Sequence, residues 1–157
     1  MVACTYRLGT IDDIDPVFEL NAQLFAEKWS KQSFLDVMQS GFDLYVCESH
    51  VCESDQKIAG YILSQNILDE VHIMQVAVSP DYQRQGIAKA LSMRLLADKH
   101  GYALALLEVR ASNIAAQKLY KQLDFTEVGC RKAYYVPEIK GQPREDAILM
   151  QRTLNTL

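Results

Sequence analysis

Val76-Ala77-Val78-Ser79-Pro80-Asp81-Tyr82-Gln83-Arg84-Gln85-Gly86-Ile87-Ala88 runs from an apolar strand, through a Ser-Pro break, into a loop whose glycine opens a helix. Such a helix mouth is a ready anion site. Its first N–H groups lack partners inside the helix, and the helix dipole sets partial positive charge beside them. Gly86 has no Cβ, so backbone amides can approach phosphate oxygens closely; Ala88 keeps the first turn small, and Arg84 or Lys89 adds charge. Neither GxxxxGK followed by Ser or Thr nor GxGxxG is present. An isolated glycine more often merely starts a helix, so the flanking residues decide.

Upstream, residues 71–78 read as a strand with a slipped phase: Val71 and Ile73 share one face, whereas Val76 and Val78 fall on the other. That slip predicts a β-bulge or splay near Met74-Gln75, unless the strand is buried on both faces. Downstream, the helix runs from about 86 to 99 and Gly101 ends it. Residues 103–109 then form a nearly continuous apolar strand suited to a sheet centre. A second helix over 113–122 places Ala116, Leu119, Tyr120 and Leu123 on one face.

Around this strand-helix-strand centre the order is antiparallel in character. A strand over 2–8 precedes an amphipathic helix that Asp12 and Asp13 open and that reaches about Phe25. Ser30 caps a helix to about Ser40, with Gly41 as its stop. Strands over 43–48 and 58–68 are joined through Ser54-Asp55-Gln56, and the tail gives strands over 126–134 and 146–154. The fold class is therefore mixed α/β, and without repeats or linkers residues 1–157 read as one domain.

The net charge of -4 and pI near 5.3 argue against a nucleic-acid binder and suit a cationic substrate. No run approaches the roughly 20 apolar residues that span a bilayer, and no signal peptide is visible, so the cytosol is expected and no membrane partner. Cys4, Cys47, Cys52 and Cys130 form no CxxC pair, and His50, His72 and His100 lack zinc-like spacing. Reduced thiols and no metal are the expectation.

Taken together, these features resemble the GNAT acetyltransferase superfamily, whose Gln/Arg-x-x-Gly-x-Gly/Ala signature follows a V-x-V-like strand and Ser/Asp-Pro. Within it the chain is similar to the RimI-type ribosomal-protein-alanine N-acetyltransferases from about Trp29 onward. The likeness is strongest in Leu107-Glu108-Val109-Arg110-Ala111-Ser112-Asn113, Leu119-Tyr120, Asp124-Phe125, Tyr134-Tyr135 and Glu145-Asp146-Ala147-Ile148-Leu149-Met150. The resemblance implies a GNAT fold: a central mixed sheet of six to seven strands flanked by about four helices, splayed at its two central parallel strands. It also implies acetyl-CoA as co-substrate. The pantetheine arm would lie along the backbone of Val76, Ala77 and Val78, with Arg84, Gln85, Gly86, Ile87, Ala88 and Lys89 cradling the pyrophosphate and Asn113 as a further contact. The chain departs from that branch at Ala88, where glycine is usual, and in a longer loop over 136–144.

Acyl transfer needs the amine neutral, and only about a tenth to a sixth of a free α-amino group is neutral at pH 7. Glu108 is the one carboxylate in an apolar strand, near its end, and suits the base; the bland alternative is a strand-end glutamate in solvent or paired with Arg110. Tyr120 can protonate the departing thiolate, or can simply be core beside Leu119 and Leu123. Asn113 suits an N-cap as well as a coenzyme contact. Cys130 has no paired histidine in view, which favours direct transfer over an acyl-enzyme. By resemblance the partner is the N-terminal alanine of a small-subunit ribosomal protein, with Trp29, Tyr134 and Tyr135 framing the entrance or packing as ordinary core. Two other readings stand beside it: acetylation of a small amine or lysine side chain, and a non-catalytic acyl-CoA-binding module on the same fold.

Overall fold

The computed structural model describes residues 2–25, 28–52 and 55–154, the side chains of Cys52 and Asp55 excepted. The chain opens with β1 (Cys4–Leu8), a 3-10 turn (Ile11–Asp13) and α1 (Ile14–Leu24), followed by α2 (Lys31–Met38). Short polar side chains set the starts of the 3-10 turn and of α2. The Asp13 carboxylate accepts the Thr10 N–H at 2.7 Å, and Ser30 Oγ accepts the Ser33 N–H at 3.0 Å. Next come β2 (Phe42–Cys52), β3 (Asp55–Ile67) and β4 (Glu70–Val78). The hairpin arms are longer than the sequence suggests: Gln56 pairs with His50 as strand, and Ser54 lies outside the described residues. After α3 (Ile87–Ala97) follow β5 (Leu104–Arg110), α4 (Ile114–Gln122), β6 (Thr126–Tyr135) and β7 (Glu145–Thr153). Helix α3 stops short of Lys99, which turns inward, 6% exposed, onto the Asp43 carboxylate and Asn66.

All seven strands form one sheet in the order β1-β2-β3-β4-β5-β7-β6. Every neighbouring pair is antiparallel except β4 and β5. That parallel pair is short: it runs from Glu70↔Leu104 to Ile73↔Leu107 and then stops, so the strand ends part and the sheet opens.

The bulge predicted from the phase slip is present. Leu63 pairs with Gln75 and Ser64 with Ile73, leaving Met74 as the extra residue. Past it the side chains change face, so Val71, Ile73, Val76 and Val78 all pack in one core. Ala77 joins the core on the opposite face. The first core lies under α3 and α4, with Leu91, Leu95, Tyr120 and Leu123; the second lies under α1 and α2, with Val17, Leu20 and Phe34.

The second core contains one buried polar knot. Asn21 is fully buried, donates to Tyr61 Oη at 3.2 Å and Gln75 Oε1 at 3.1 Å, and accepts the Trp29 N–H at 2.9 Å. One side chain thus joins α1, the segment leading to α2, β3 and the splayed part of β4. Asn21→Ala is expected to cost about 1–3 kcal/mol, because it leaves buried polar groups unpaired. Urea denaturation measures this; an unchanged midpoint would contradict it.

Candidate active site

The loop after β4 has the shape the anion reading requires. Arg84 and Gly86 both adopt left-handed φ, 62° and 77°. Turns of this kind line a concavity with successive N–H groups. The first hydrogen bond into the helix mouth is from Ala90 N–H to Gly86 O at 3.0 Å. The N–H groups ahead of it are those an α-helix leaves without internal acceptors. A Cβ on Gly86 would meet no protein atom within 4 Å, so the space in front of the loop is open. Arg84 and Lys89 are exposed beside it. These residues fit a phosphate. Gln85 contributes differently: its Oε1 is buried without a hydrogen-bond partner among the described residues, and an acceptor does not serve an anion.

Gly60, which sequence reasoning passed over, seats this loop. A Cβ there would lie 2.6 Å from Ala77 O and 3.3 Å from Ile87 Cγ2. Glycine alone therefore lets β3 come against the end of β4 and the start of α3. On its other side β4 has no strand partner beyond Ile73, so the backbone of Val76, Ala77 and Val78 lines the opening.

Across the opening stands β5. Ala105, Leu107 and Val109 are buried in the core shared with Tyr120, and Leu106, Glu108 and Arg110 alternate onto the opposite face. Glu108 and Tyr120 therefore flank the sheet from its two faces. The Glu108 side chain is 26% exposed, and its Oε1 lies 3.2 Å from Arg131 Nε. The pairing with Arg110, weighed above as the bland alternative, is not formed. Arg110 instead donates to Val136 O at 2.9 Å and Glu145 Oε2 at 3.3 Å and covers the Tyr135 ring, with Cζ 4.6 Å from the centroid. Glu145 in turn accepts the Ser112 N–H at 2.7 Å, so the end of β5, the loop after β6 and the start of β7 are clamped together.

Tyr120 is buried and meets Phe125 edge-on at 5.6 Å. Desolvation, and then the neighbouring Tyr135, push its phenol above the ordinary range, which keeps the proton in place at neutral pH. Tyr135 is likewise raised, first by burial and then by the Glu108 carboxylate. Tyr134 packs against Tyr135 at 5.0 Å. Trp29 belongs to another wall: it packs on Phe34 at 5.2 Å and lines an open cleft of about 590 Å³ with Lys28, Ser30, Ser33, Asp36 and Val37. Asn113 caps α4 by accepting the Ala116 N–H at 3.1 Å.

The residue that sequence reasoning missed is Arg131. Strand alternation places it on the same face of β6 as Gly129, but its reach to Glu108 depends on β7 lying between β5 and β6. Cys4, Cys47 and Cys130 are free thiols, and burial, followed by the neighbouring Cys4, pushes the Cys47 thiol to about 12. Among the described residues no group of His, Cys, Asp and Glu could hold a metal ion, and no helix is long and apolar enough to cross a membrane.

Residues 14–125 match the Acetyltransferase (GNAT) family. The chain is 37% identical over 140 residues to the ribosomal protein bS18-alanine N-acetyltransferase of Escherichia coli K12, covering 88% of this chain and 89% of that protein. It is 34% identical over 149 residues to a protein of Bacillus subtilis strain 168 described as a putative ribosomal protein bS18-alanine N-acetyltransferase, with 92% of each covered. The crystal structure of the Escherichia coli ribosomal-protein-S18-alanine N-acetyltransferase superposes with a TM-score of 0.87 at 31% identity, covering 99% of this chain and 96% of that one. With a family match over residues 14–125, and a sheet that opens between its two parallel strands beside a glycine-opened helix mouth, the chain belongs to the GNAT acetyltransferase family.

Proposed function

We propose that this enzyme transfers the acetyl group of acetyl-CoA directly to the α-amino group of a protein N-terminus, an alanine on a small-subunit ribosomal protein. The observation that carries this reading is 37% identity, across 88% of the chain, to an enzyme named for that substrate. Burial that keeps the Tyr120 phenol protonated suits the acid role. In this reading, Val76, Ala77 and Val78 hold the pantetheine arm through their backbone. Arg84, Gly86, Ile87, Ala88 and Lys89, with the Gln85 N–H, hold the pyrophosphate, and Asn113 touches the coenzyme while capping its helix. Glu108 takes the proton from the ammonium, the amine attacks the thioester carbonyl, and Tyr120 protonates the departing thiolate. Tyr134 and Tyr135 frame the amine entrance from one side and Trp29 from another. Acting on a ribosomal protein, the enzyme works in the cytosol.

Incubation with acetyl-CoA and basic peptides that begin with alanine, read by mass spectrometry, tests the substrate. One added acetyl group on the N-terminal amine is expected. Exclusive modification of lysine side chains or of small amines would overturn it.

A further inference from the structure

We infer that Arg131 is a positioning residue for amine deprotonation: it holds one oxygen of the Glu108 carboxylate and leaves the other for the substrate amine. The inference rests on the reading of Glu108 as the base, and goes beyond it by naming what orients that base.

The sheet register explains how a residue two strands away reaches the site. Glu108 pairs with Leu149 on β7, and Leu149 pairs with Gly129 on β6, so the three lie in one row across the sheet. Gly129 carries no side chain, and a Cβ there would crowd Leu149 Cδ1 at 3.1 Å. Arg131, two residues on, shares that face. Its side chain crosses β7 diagonally and brings Nε to within 3.2 Å of Glu108 Oε1.

The backbone that carries Arg131 is itself fixed. Arg131 pairs with Ala147, and the next register pair is Tyr135 with Glu145, so β6 bulges between them. Asp146 Oδ1 accepts the Ala133 N–H at 2.8 Å inside that bulge, where Ala133 takes a φ of 49°. The guanidinium also lies 5.6 Å from the centre of the Tyr134 ring. Bulges beside active sites commonly re-aim a side chain in this way.

Two features bear on what this pair does. Arg131 is 56% exposed, and a pair this open contributes little to folding. Arg131 comes nearest to Glu108 at Oε1, and among the described residues no hydrogen bond to Oε2 is formed. A free glutamate side chain samples several rotamers; anchoring one oxygen leaves the other in a defined place. When the amine gives up its proton, an N–H bond breaks and an O–H bond forms on Oε2, directly or through one water, while Oε1 stays with Nε. The same positive charge repels a cationic amine. Arg131 therefore raises turnover without tightening substrate binding.

That combination gives a kinetic signature that a lost binding contact does not. With an alanine-initiated basic peptide, Arg131→Gln is expected to lower kcat by roughly 10-fold, since small misplacements of a catalytic group carry penalties of this order or larger. The peptide KM should stay level or fall, and acetyl-CoA affinity by calorimetry should not change. Arg131→Lys should recover part of the loss. In a Glu108→Gln background, Arg131→Gln should add nothing, because the residue it positions is gone. Full kcat in Arg131→Gln, a raised KM with kcat retained, or an equal loss in the Glu108→Gln background would overturn the inference. Wild-type turnover in Glu108→Gln would remove the base assignment and this inference together. A slow Glu108→Gln beside a normal Arg131→Gln would remove this inference alone.

Discussion

Glu108→Gln is expected to lower kcat by roughly 10²- to 10⁴-fold near pH 7, the range a positioned general base contributes. The substitution removes the proton acceptor and keeps nearly everything else. Glutamine has almost the shape of glutamate and retains an oxygen in the place of Glu108 Oε1, which lies 3.2 Å from Arg131 Nε. The loop at Gly86 sits across the opening, between β4 and α3, so acetyl-CoA affinity by calorimetry should survive. The deficit should also depend on pH, with a sign fixed by the amine. A free α-amino group has a pKa of about 7.7–8.0, so at pH 7 most of it must lose a proton before it can attack. At pH 9 more than about nine-tenths is already neutral and a base matters less. The variant should therefore gain on the wild type as pH rises. A deficit that stays constant from pH 6.5 to 9, or turnover equal to wild type at pH 7, would remove Glu108 from the base role.

What the sequence made legible, and what it hid, divides by distance along the chain. The slipped phase between Ile73 and Val76 is a local pattern, and it points to a bulge or splay near Met74-Gln75, which the structure has at Met74. The helix mouth at Gly86 and the caps at Ser30 and Asn113 were legible for the same reason, since each needs only a few consecutive residues. The Asp55-Gln56 turn was misjudged because polar residues also suit the exposed end of a long hairpin. Partner choice at Glu108 was beyond local reading. Arg110 is two residues away in sequence and on the same face of β5, yet Glu145 and the Val136 carbonyl draw it toward the β6–β7 connection. Arg131 is 23 residues from Glu108, and only the order β5-β7-β6 brings it to the carboxylate. Gly60 was hidden likewise, because its reason is the carbonyl of Ala77 on the neighbouring strand.

Gly86→Val should weaken acetyl-CoA binding by at least about 10-fold, and the structure separates two causes. The first is conformational. Gly86 has a φ of +77°, where a β-branched residue is strained by about 1–3 kcal/mol. Each 1.4 kcal/mol that relaxation of the loop withdraws from binding is about a tenfold loss in affinity. The second is occupancy. No protein atom lies within 4 Å of a Cβ built there, so a new side chain would project into the open space before the N–H groups rather than into the core. Gly86→Ala distinguishes them: it introduces most of the φ strain with little bulk, so strain alone predicts losses of similar size for alanine and valine. A much larger loss for valine would mean that the side chain occupies the phosphate's place. Affinity by calorimetry and unfolding by urea must be read together, because strain in a loop also lowers stability. Unaltered affinity in Gly86→Val, in protein that remains folded, would mean that the pyrophosphate does not rest on this helix mouth. Arg84 and Lys89, exposed beside the loop, would then need another explanation.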